Sequence, residues 1–130
     1  MKEVYEFLKK CETFYLATMD GDQPRVRPFG AIDVFEDKLY IETGKVKNVS
    51  KQMKANPKIE ISGMADGKWI RVEAVAVEDD RIEARLHMLE AFAMLQGMYK
   101  ADDGNMQVLY LKDATATIFS FTEDPVVIKF

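Results

Sequence analysis

The stretch LYIETGKVKNVSKQMKANPKIEIS, residues Leu39–Ser62, carries the clearest structural signal in this chain. Side-chain character alternates along Leu39–Thr43, which predicts a strand because successive side chains of a strand point to opposite faces. A short helix is predicted over roughly residues 48–55, with Asn48 as its N-cap and the following Asn-Pro pair as its stop. The residues KIEISGM then predict another strand. This stretch therefore places a basic helix between two strands.

The lysines of this stretch raise the question of a bound anion. They are Lys45, Lys47, Lys51 and Lys54. The last three are spaced at i, i+4 and i+7, so they share one face of the predicted helix. A helix N-terminus also presents free N–H groups and the positive end of a dipole, both of which favour a phosphate. Thr43 and Asn48 would add neutral hydrogen-bonding groups. The alternative is a solvated charged face, behind which Val49 and Met53 point inward.

Most of the remaining chain reads as short strands joined by tight turns. Strands are predicted for FYLATM (14–19), WIRVEAVAVE (69–78), MQVLYLK (106–112) and ATATIFSF (114–121). The segment RVRPFGAIDVF (25–35) is expected to be extended, and VVIKF (126–130) is expected as a last extended piece. Pro28 lacks an N–H group, so its strand is expected at an edge or facing something other than a strand. Most links are too short for parallel crossovers. We therefore predict a mainly β (α+β) fold with six or seven largely antiparallel strands in a barrel or sandwich.

Two further helices are predicted. The first ten or so residues form an amphipathic helix whose apolar face carries Val4, Phe7, Leu8 and Cys11. A longer helix is predicted over residues 79–97, with Gly97 as its stop. Its apolar stripe consists of Ile82, Leu86, Leu89 and Ala93. His87 lies in the middle of this helix and is interpreted as an ordinary partly buried or surface residue.

The composition narrows the class of protein. A chain of 130 residues, 48% of them hydrophobic, is expected to form one domain with a proper core over residues 1–130. A net charge of −4 without a long basic stripe argues against a nucleic-acid partner. The single cysteine, Cys11, favours a reducing setting. The charged N-terminal segment has no signal core, and no apolar run approaches the roughly 18–20 residues of a membrane span. We therefore expect a cytoplasmic protein without a membrane partner.

Motifs that would let the chain's own side chains carry out a reaction are missing. The sequence has no Gly-x-Gly-x-x-Gly, P-loop or Gly-x-Ser-x-Gly motif. One cysteine and one histidine do not make a metal site. The pairs Asp79-Asp80 and Asp102-Asp103 flank turns and helix starts, where they fit caps better than acid–base pairs. No catalytic residue is assigned, and a cofactor is expected to supply the reactive chemistry.

The segment RVRPFG, followed by LYIETGKVKNVSKQMKANPKIEIS, resembles the flavin-binding split-barrel family. This family contains the pyridoxamine 5′-phosphate oxidases and the Nim-type nitroimidazole-resistance flavoproteins. The order of helices, strands and turns agrees with that family along about the whole chain. The resemblance implies a split β-barrel that binds flavin mononucleotide (FMN) at a homodimer interface.

The resemblance also implies roles for particular residues. The FMN phosphate would be held by Thr43, Lys45, Lys47, Asn48 and Lys51, although classical oxidases carry Arg-Lys where this chain has Asn-Val. The flavin ring would lie along the strand formed by Arg25, Val26, Arg27 and Pro28. A second chain would complete the site with Trp69 and Arg71. Glu42 belongs to the same cofactor-binding set and takes the place where Nim-type proteins often carry a histidine.

The function implied by this resemblance is flavin-dependent oxidoreduction of a small organic substrate, with a separate electron donor. Pyridoxamine 5′-phosphate oxidation itself is not expected. The chain ends in EDPVVIKF and shows no Arg-Leu-x-Pro-like segment, which grips the substrate phosphate in the true oxidases. Two alternatives stay open: a non-catalytic module that binds or senses FMN, and a split barrel that binds heme or another cofactor.

Overall fold

One eight-stranded antiparallel sheet forms the centre of the computed structural model, which describes all residues from Met1 to Phe130. The strands are β1 (Phe14–Asp20), β2 (Gln23–Phe29), β3 (Ile32–Phe35), β4 (Lys38–Gly44), β5 (Lys58–Ala65), β6 (Lys68–Glu78), β7 (Met106–Phe119) and β8 (Val126–Lys129). Their order is β2-β1-β5-β6-β7-β4-β3, and β8 pairs with β7. The mainly β, split-barrel prediction is confirmed, with eight strands rather than six or seven.

Two strand boundaries differ from the prediction. Residues 25–35 form two strands, because the chain leaves β2 after Phe29 and resumes pairing with β4 at Ile32. Residues 106–121 form one strand instead of two, ending at Phe119. Asp113 interrupts it with a φ of 51°, and the pairing with β6 shifts register at the same level, so a bulge absorbs the break. Pro28 lies in β2, an edge strand, as its missing N–H group predicts.

Strand β4 is buried on both faces. The sequence predicts that Leu39, Ile41 and Thr43 share one face, and the first two pack into the main barrel core. The other face carries Tyr40, which packs into a second core with Val108 of β7. Every residue of β4 after Lys38 is buried as a result. The polar residues near its end are therefore held in a mostly apolar setting.

Three helices pack on this sheet: α1 (Lys2–Cys11), α2 (Asn48–Ala55) and α3 (Ile82–Ala91). The predicted range of α2 is confirmed, but Asn48 is not its N-cap. Lys47 occupies that position, and no side chain makes a capping hydrogen bond. Asn48 is instead the first helical residue.

The long helix predicted over residues 79–97 is shorter and presents another face. It begins at Ile82 and ends at Ala91, and a separate 3₁₀ segment covers Ala93–Gly97. The predicted apolar stripe is wrong, because Ile82 and Leu86 are exposed. The second core selects a different face of α3, formed by Ala84, Met88 and Leu89. The chain bends at Phe92, which places the 3₁₀ segment beside β4 rather than along the axis of α3.

Hydrogen bonds to buried acids anchor α3 to the sheet. His87 shares a 2.6 Å hydrogen bond between its Nδ1 and Oδ2 of the buried Asp33 in β3. At the start of the helix, the Tyr40 hydroxyl donates to Asp79 Oδ2 at 2.8 Å, and Arg81 pairs with the same carboxylate. These bonds, led by the one from Arg81, hold the pKa of Asp79 well below its usual range. None of the helices combines the length and the apolar character of a membrane span.

Candidate functional site

A cavity of about 640 Å³ opens between α1, the end of β2, β4 and the 3₁₀ segment. Its size lies within the range of roughly 300–1,000 Å³ that is typical of small-molecule and cofactor sites. Of the predicted site residues, five line this cavity: Arg27, Pro28, Glu42, Thr43 and Lys47. The structure thus brings together residues from the two segments that carry the family resemblance.

Much of the cavity lining is apolar and aromatic. This apolar wall is formed by Tyr5, Phe29, Phe92, Met94, Leu95, Met98 and Tyr99. Met94 and Met98 are strongly exposed, so part of this wall is open to solvent in a single chain. One apolar wall and one polar, partly cationic wall suit a ligand with a planar ring system and an anionic tail.

Arg27 is fixed by hydrogen bonds to two other segments of the chain, β1 and α2. One guanidinium nitrogen, Nη1, donates to the Thr18 hydroxyl at 2.7 Å and to the Leu16 carbonyl at 3.1 Å. The other, Nη2, donates to Oε1 of Gln52 in α2 at 2.6 Å. Burial, and to a smaller extent the charge of Arg25, lower the pKa of Arg27, although a guanidinium remains charged in proteins. Arg27 therefore supplies a fixed positive charge at the cavity wall and ties β2 to α2.

Glu42 is the unusual group of this cavity. Its side chain is buried, and Oε2 has no hydrogen-bond partner. Burial raises the pKa of Glu42 to about 8, while the charge of Lys47 lowers it and that of Asp103 raises it further. The group is therefore a neutral carboxylic acid near pH 7, with donor capacity that no other group of the chain uses.

Lys45 and Lys51 lie away from this cavity, although the sequence predicts them beside Lys47. Both line another cavity, of about 560 Å³, which also contains Lys54. Lys45 Nζ lies 3.6 Å from Oε2 of Glu78, so an acidic partner already meets its charge. The predicted lysine cluster is thus divided, and Lys47 is the member that reaches the cavity beside Glu42 and Thr43.

Four other predicted residues lie outside the cavity lining. Asn48 is exposed at the start of α2. Arg25 and Val26 are exposed on β2, and Arg25 pairs with Asp20 at 3.2 Å. Trp69 stacks on Phe119 with ring centroids 5.7 Å apart.

The remaining predicted residue, Arg71, also lies outside the cavity. It stands over the Phe119 ring on the same sheet face as Trp69, at 5.3 Å from the ring centroid. Within a single chain, Trp69 and Arg71 therefore do not contribute to this cavity.

Sequence reasoning missed the contributions of α1 and of the 3₁₀ segment to the cavity. Tyr5, Lys9 and Glu12 belong to α1 or its C-terminal end, and the segment after α3 adds most of the apolar wall. One signal was present in the sequence. The run FAMLQGMY (92–99) is rich in large apolar residues. No group of three or more His, Cys, Asp or Glu side chains is placed to hold a metal ion.

Comparison with known proteins places this chain in a family. A family model described as pyridoxamine 5′-phosphate oxidase matches residues 1–119. A NimC/NimA family protein from Clostridium acetobutylicum is 48% identical, with a TM-score of 0.98 over all of this chain and 92% of that one. No curated protein is significantly similar to the chain. The chain therefore belongs to the pyridoxamine 5′-phosphate oxidase-like family of split-barrel proteins, and to its Nim type.

More distant structures share the fold alone. General Stress Protein 26 from Bacillus anthracis str. Sterne has a TM-score of 0.77 at 17% identity, over 99% of this chain and 97% of that one. A heme binding protein from Mycobacterium smegmatis has a TM-score of 0.78 at 14% identity. The match covers 98% of this chain and 56% of the heme binding protein.

The two arginines of β2 provide a test of the cavity wall. We expect Arg27→Ala to lower the free energy of unfolding by about 1–3 kcal/mol, because Thr18 and Gln52 lose a charged donor in a partly buried position. Arg25→Ala is the matched control, and its exposed pair with Asp20 predicts a loss below about 1 kcal/mol. Urea unfolding of both variants measures the difference. Equal losses would show that Arg27 does not tie β2 to α2.

Proposed function

We propose that the protein binds FMN in the 640 Å³ cavity and acts as a flavin-dependent oxidoreductase of a small organic substrate. The observation that carries this proposal is the meeting of an aromatic wall with Thr43, Lys47 and the fixed Arg27 in one cavity. Membership of the Nim type supports it, since the resemblance implies a flavin at this place. Oε2 of Glu42 has no hydrogen-bond partner within the chain, which also supports a polar ligand as its partner.

The polar wall would hold the phosphate of FMN. Lys47 precedes α2, and the first N–H groups of a helix have no partner within the helix. The Thr43 hydroxyl adds a neutral donor beside this helix start, and the helix dipole favours an anion there. Lys47 is the cation closest in sequence to these groups and lines the same cavity. Of the residues that the family resemblance implies for the FMN phosphate, we therefore retain Thr43, Lys47 and the start of α2.

The aromatic wall would hold the ring system of FMN, and bound FMN supplies the electron transfer. Phe29 and Pro28 lie at the end of β2, where no further strand covers the sheet edge. Tyr99 and Leu95 are buried residues of the second core that also line the cavity. The chain's own contribution is thus to bind and orient the ring while leaving one side open to a substrate.

We also propose a homodimer in which each cavity is completed by the partner. The exposed Met94 and Met98 at the cavity support a covering surface, because large apolar side chains at a ligand site gain from exclusion of water. Trp69 and Arg71, which stand outside their own chain's cavity, are then available for the partner's site.

The proposed phosphate site predicts a difference between two neighbouring lysines. We expect Lys47→Ala to weaken FMN by at least about tenfold and to leave riboflavin nearly unchanged, since a charge-assisted contact contributes about 1.5–3 kcal/mol. Lys51→Ala is the matched control, because Lys51 carries the same charge but lines the other cavity. Fluorescence titration measures both ligands. Equal losses for FMN and riboflavin, or a loss with Lys51→Ala only, would contradict the assignment.

The shared site predicts complementation between two defective chains. Sedimentation should report twice the chain mass of 14.9 kDa. Lys47→Ala and Arg71→Ala chains should each bind FMN weakly, whereas a subunit-exchanged mixture recovers tight binding in about one quarter of its sites, because each heterodimer contains one intact site. A monomer that binds FMN tightly, or a mixture without recovery, would contradict a shared site.

The cavity also predicts which reaction the FMN-loaded protein supports. Its cationic side chains are Lys9, Arg27 and Lys47. Arg27 is held by Thr18 and Gln52, and we assign Lys47 to the FMN phosphate. Only Lys9, which lies over the Tyr5 ring, is then left for a second, substrate phosphate. One lysine anchors such a phosphate poorly, and positioning accounts for much of an enzyme's rate.

We expect reduction of a nitroaromatic or quinone with a nicotinamide donor under anaerobic conditions, and pyridoxal 5′-phosphate formation near background in air. Robust pyridoxal 5′-phosphate production would contradict this expectation. FMN binding without either reaction would favour a binding or sensing module. The absorbance spectrum of the purified protein tests the heme alternative directly.

A further inference from the structure

Glu42 lies at the point where two different environments meet. It is in β4, opposite Val108 of β7, on the strand face that carries Tyr40 and the second core. The same residue lines the cavity that we assign to FMN. Its exposed fraction is only 7%, and Oε2 has no hydrogen-bond partner in the protein. A buried polar atom without a partner inside a ligand-sized cavity points to a ligand atom as its missing partner.

Two charged groups near Glu42 act on its pKa in opposite directions, so burial remains the main cause of its rise. Asp103, in the loop before β7, accepts hydrogen bonds from the N–H groups of Lys100, Asn105 and Met106. These bonds lower the pKa of Asp103, so its negative charge persists and opposes a second one on Glu42. Lys47 acts in the other direction but forms no ion pair with Glu42 within 4 Å.

The other ionisable groups that face the cavity come from three elements. They are Tyr5, Lys9 and Glu12 at α1, Arg27 of β2, and Tyr99 after the 3₁₀ segment. None of these side chains is hydrogen-bonded to Glu42. The carboxyl is therefore left with burial as the dominant influence on its protonation.

We propose that Glu42 is the proton-bearing donor of the cavity: it stays protonated at neutral pH and donates a hydrogen bond to an acceptor atom of the bound FMN. This inference rests on the proposed function and adds a specific role to it. A neutral acid can donate, whereas a carboxylate can only accept. Glu42 thus selects a ligand that presents an acceptor at this position, and it makes ligand binding depend on pH.

The direction of the pH dependence follows from which form binds. Ligand contact stabilises the protonated form, so FMN affinity is full while Glu42 keeps its proton. Above the Glu42 pKa of about 8, the carboxylate of Glu42 must take up a proton before FMN can bind. The dissociation constant should then rise toward tenfold per pH unit. The phosphate of the ligand itself ionises near pH 6, so measurements above pH 7 keep its charge almost constant.

The test is FMN titration from pH 7.0 to 9.5 at constant ionic strength, followed by flavin fluorescence. In the wild-type protein we expect a nearly constant dissociation constant up to about pH 8 and a steep rise above it. Glu42→Gln keeps a neutral donor, so it should bind as tightly at pH 9 as at pH 7. Glu83→Gln, an exposed position on α3, is the control and should keep the wild-type profile.

A second measurement does not depend on the ligand. In the ligand-free protein with carboxyl-labelled glutamate, one carbon resonance should titrate near pH 8 and be absent from Glu42→Gln. A Glu42 resonance that titrates near pH 4–5 would overturn the inference, as would identical pH profiles for wild type and Glu42→Gln. Tight FMN binding whose dissociation constant does not change with pH in the wild-type protein would contradict only the role of Glu42, and not the proposed function. Absence of FMN binding at every pH would contradict the proposed function together with this inference.

Discussion

Burial of β4 on both faces is the constraint on which the arrangement of the cavity depends. The barrel core covers one face, and α3 with the 3₁₀ segment covers the other. A strand with two apolar faces has no solvated side on which to place polar residues. The polar residues of β4, Glu42 and Thr43, must therefore be satisfied by protein or by ligand groups at its end, and the cavity opens there.

The fixed position of Arg27 has a related consequence for the second wall. A guanidinium that is free to move can pair with a nearby carboxylate. The guanidinium of Arg27 is instead held in place, because it donates hydrogen bonds to Thr18, Leu16 and Gln52. Its charge remains in the cavity while its donors are largely used. Arg27 thus attracts an anionic ligand by its positive charge rather than by direct hydrogen bonds. Lys47, beside Thr43, is the cation whose N–H donors are free to bind a ligand. This division explains why neighbouring basic residues are expected to differ in their effect on ligand binding.

The sequence predicted the elements of the sheet and the site better than it predicted their contacts. The range 48–55 for α2 and the edge position of Pro28 follow from local chemistry, namely Asn-Pro as a stop and a missing N–H group. Ile82 and Leu86 were misassigned because periodicity identifies an apolar stripe but not which core it meets, and the second core covers the other face of α3. Lys45 and Lys51 carry the same charge as Lys47 and flank it in sequence around the start of α2. Only tertiary packing directs them into different cavities. The bend at Phe92, which brings the 3₁₀ segment to the cavity, has no local sequence cause comparable to a proline.

Glu42 occupies a position where the family resemblance implies a histidine. This difference changes the net charge of the site more than it changes the pH at which the residue exchanges a proton. A histidine has an ordinary pKa near 6.5 and becomes cationic when it gains a proton. Burial brings the pKa of Glu42 to about 8, so it also exchanges a proton close to neutral pH, but its protonated form is neutral. Lys9, Arg27 and Lys47 then remain the only cations that line the cavity. An additional cation there would stabilise a negatively charged ligand at every pH below its own pKa. A neutral acid instead offers a directed hydrogen bond, and it becomes an opposing negative charge once the pH rises. A site of this fold can thus bind an anionic ligand with fewer cationic side chains, because Glu42 donates a hydrogen bond while it is uncharged.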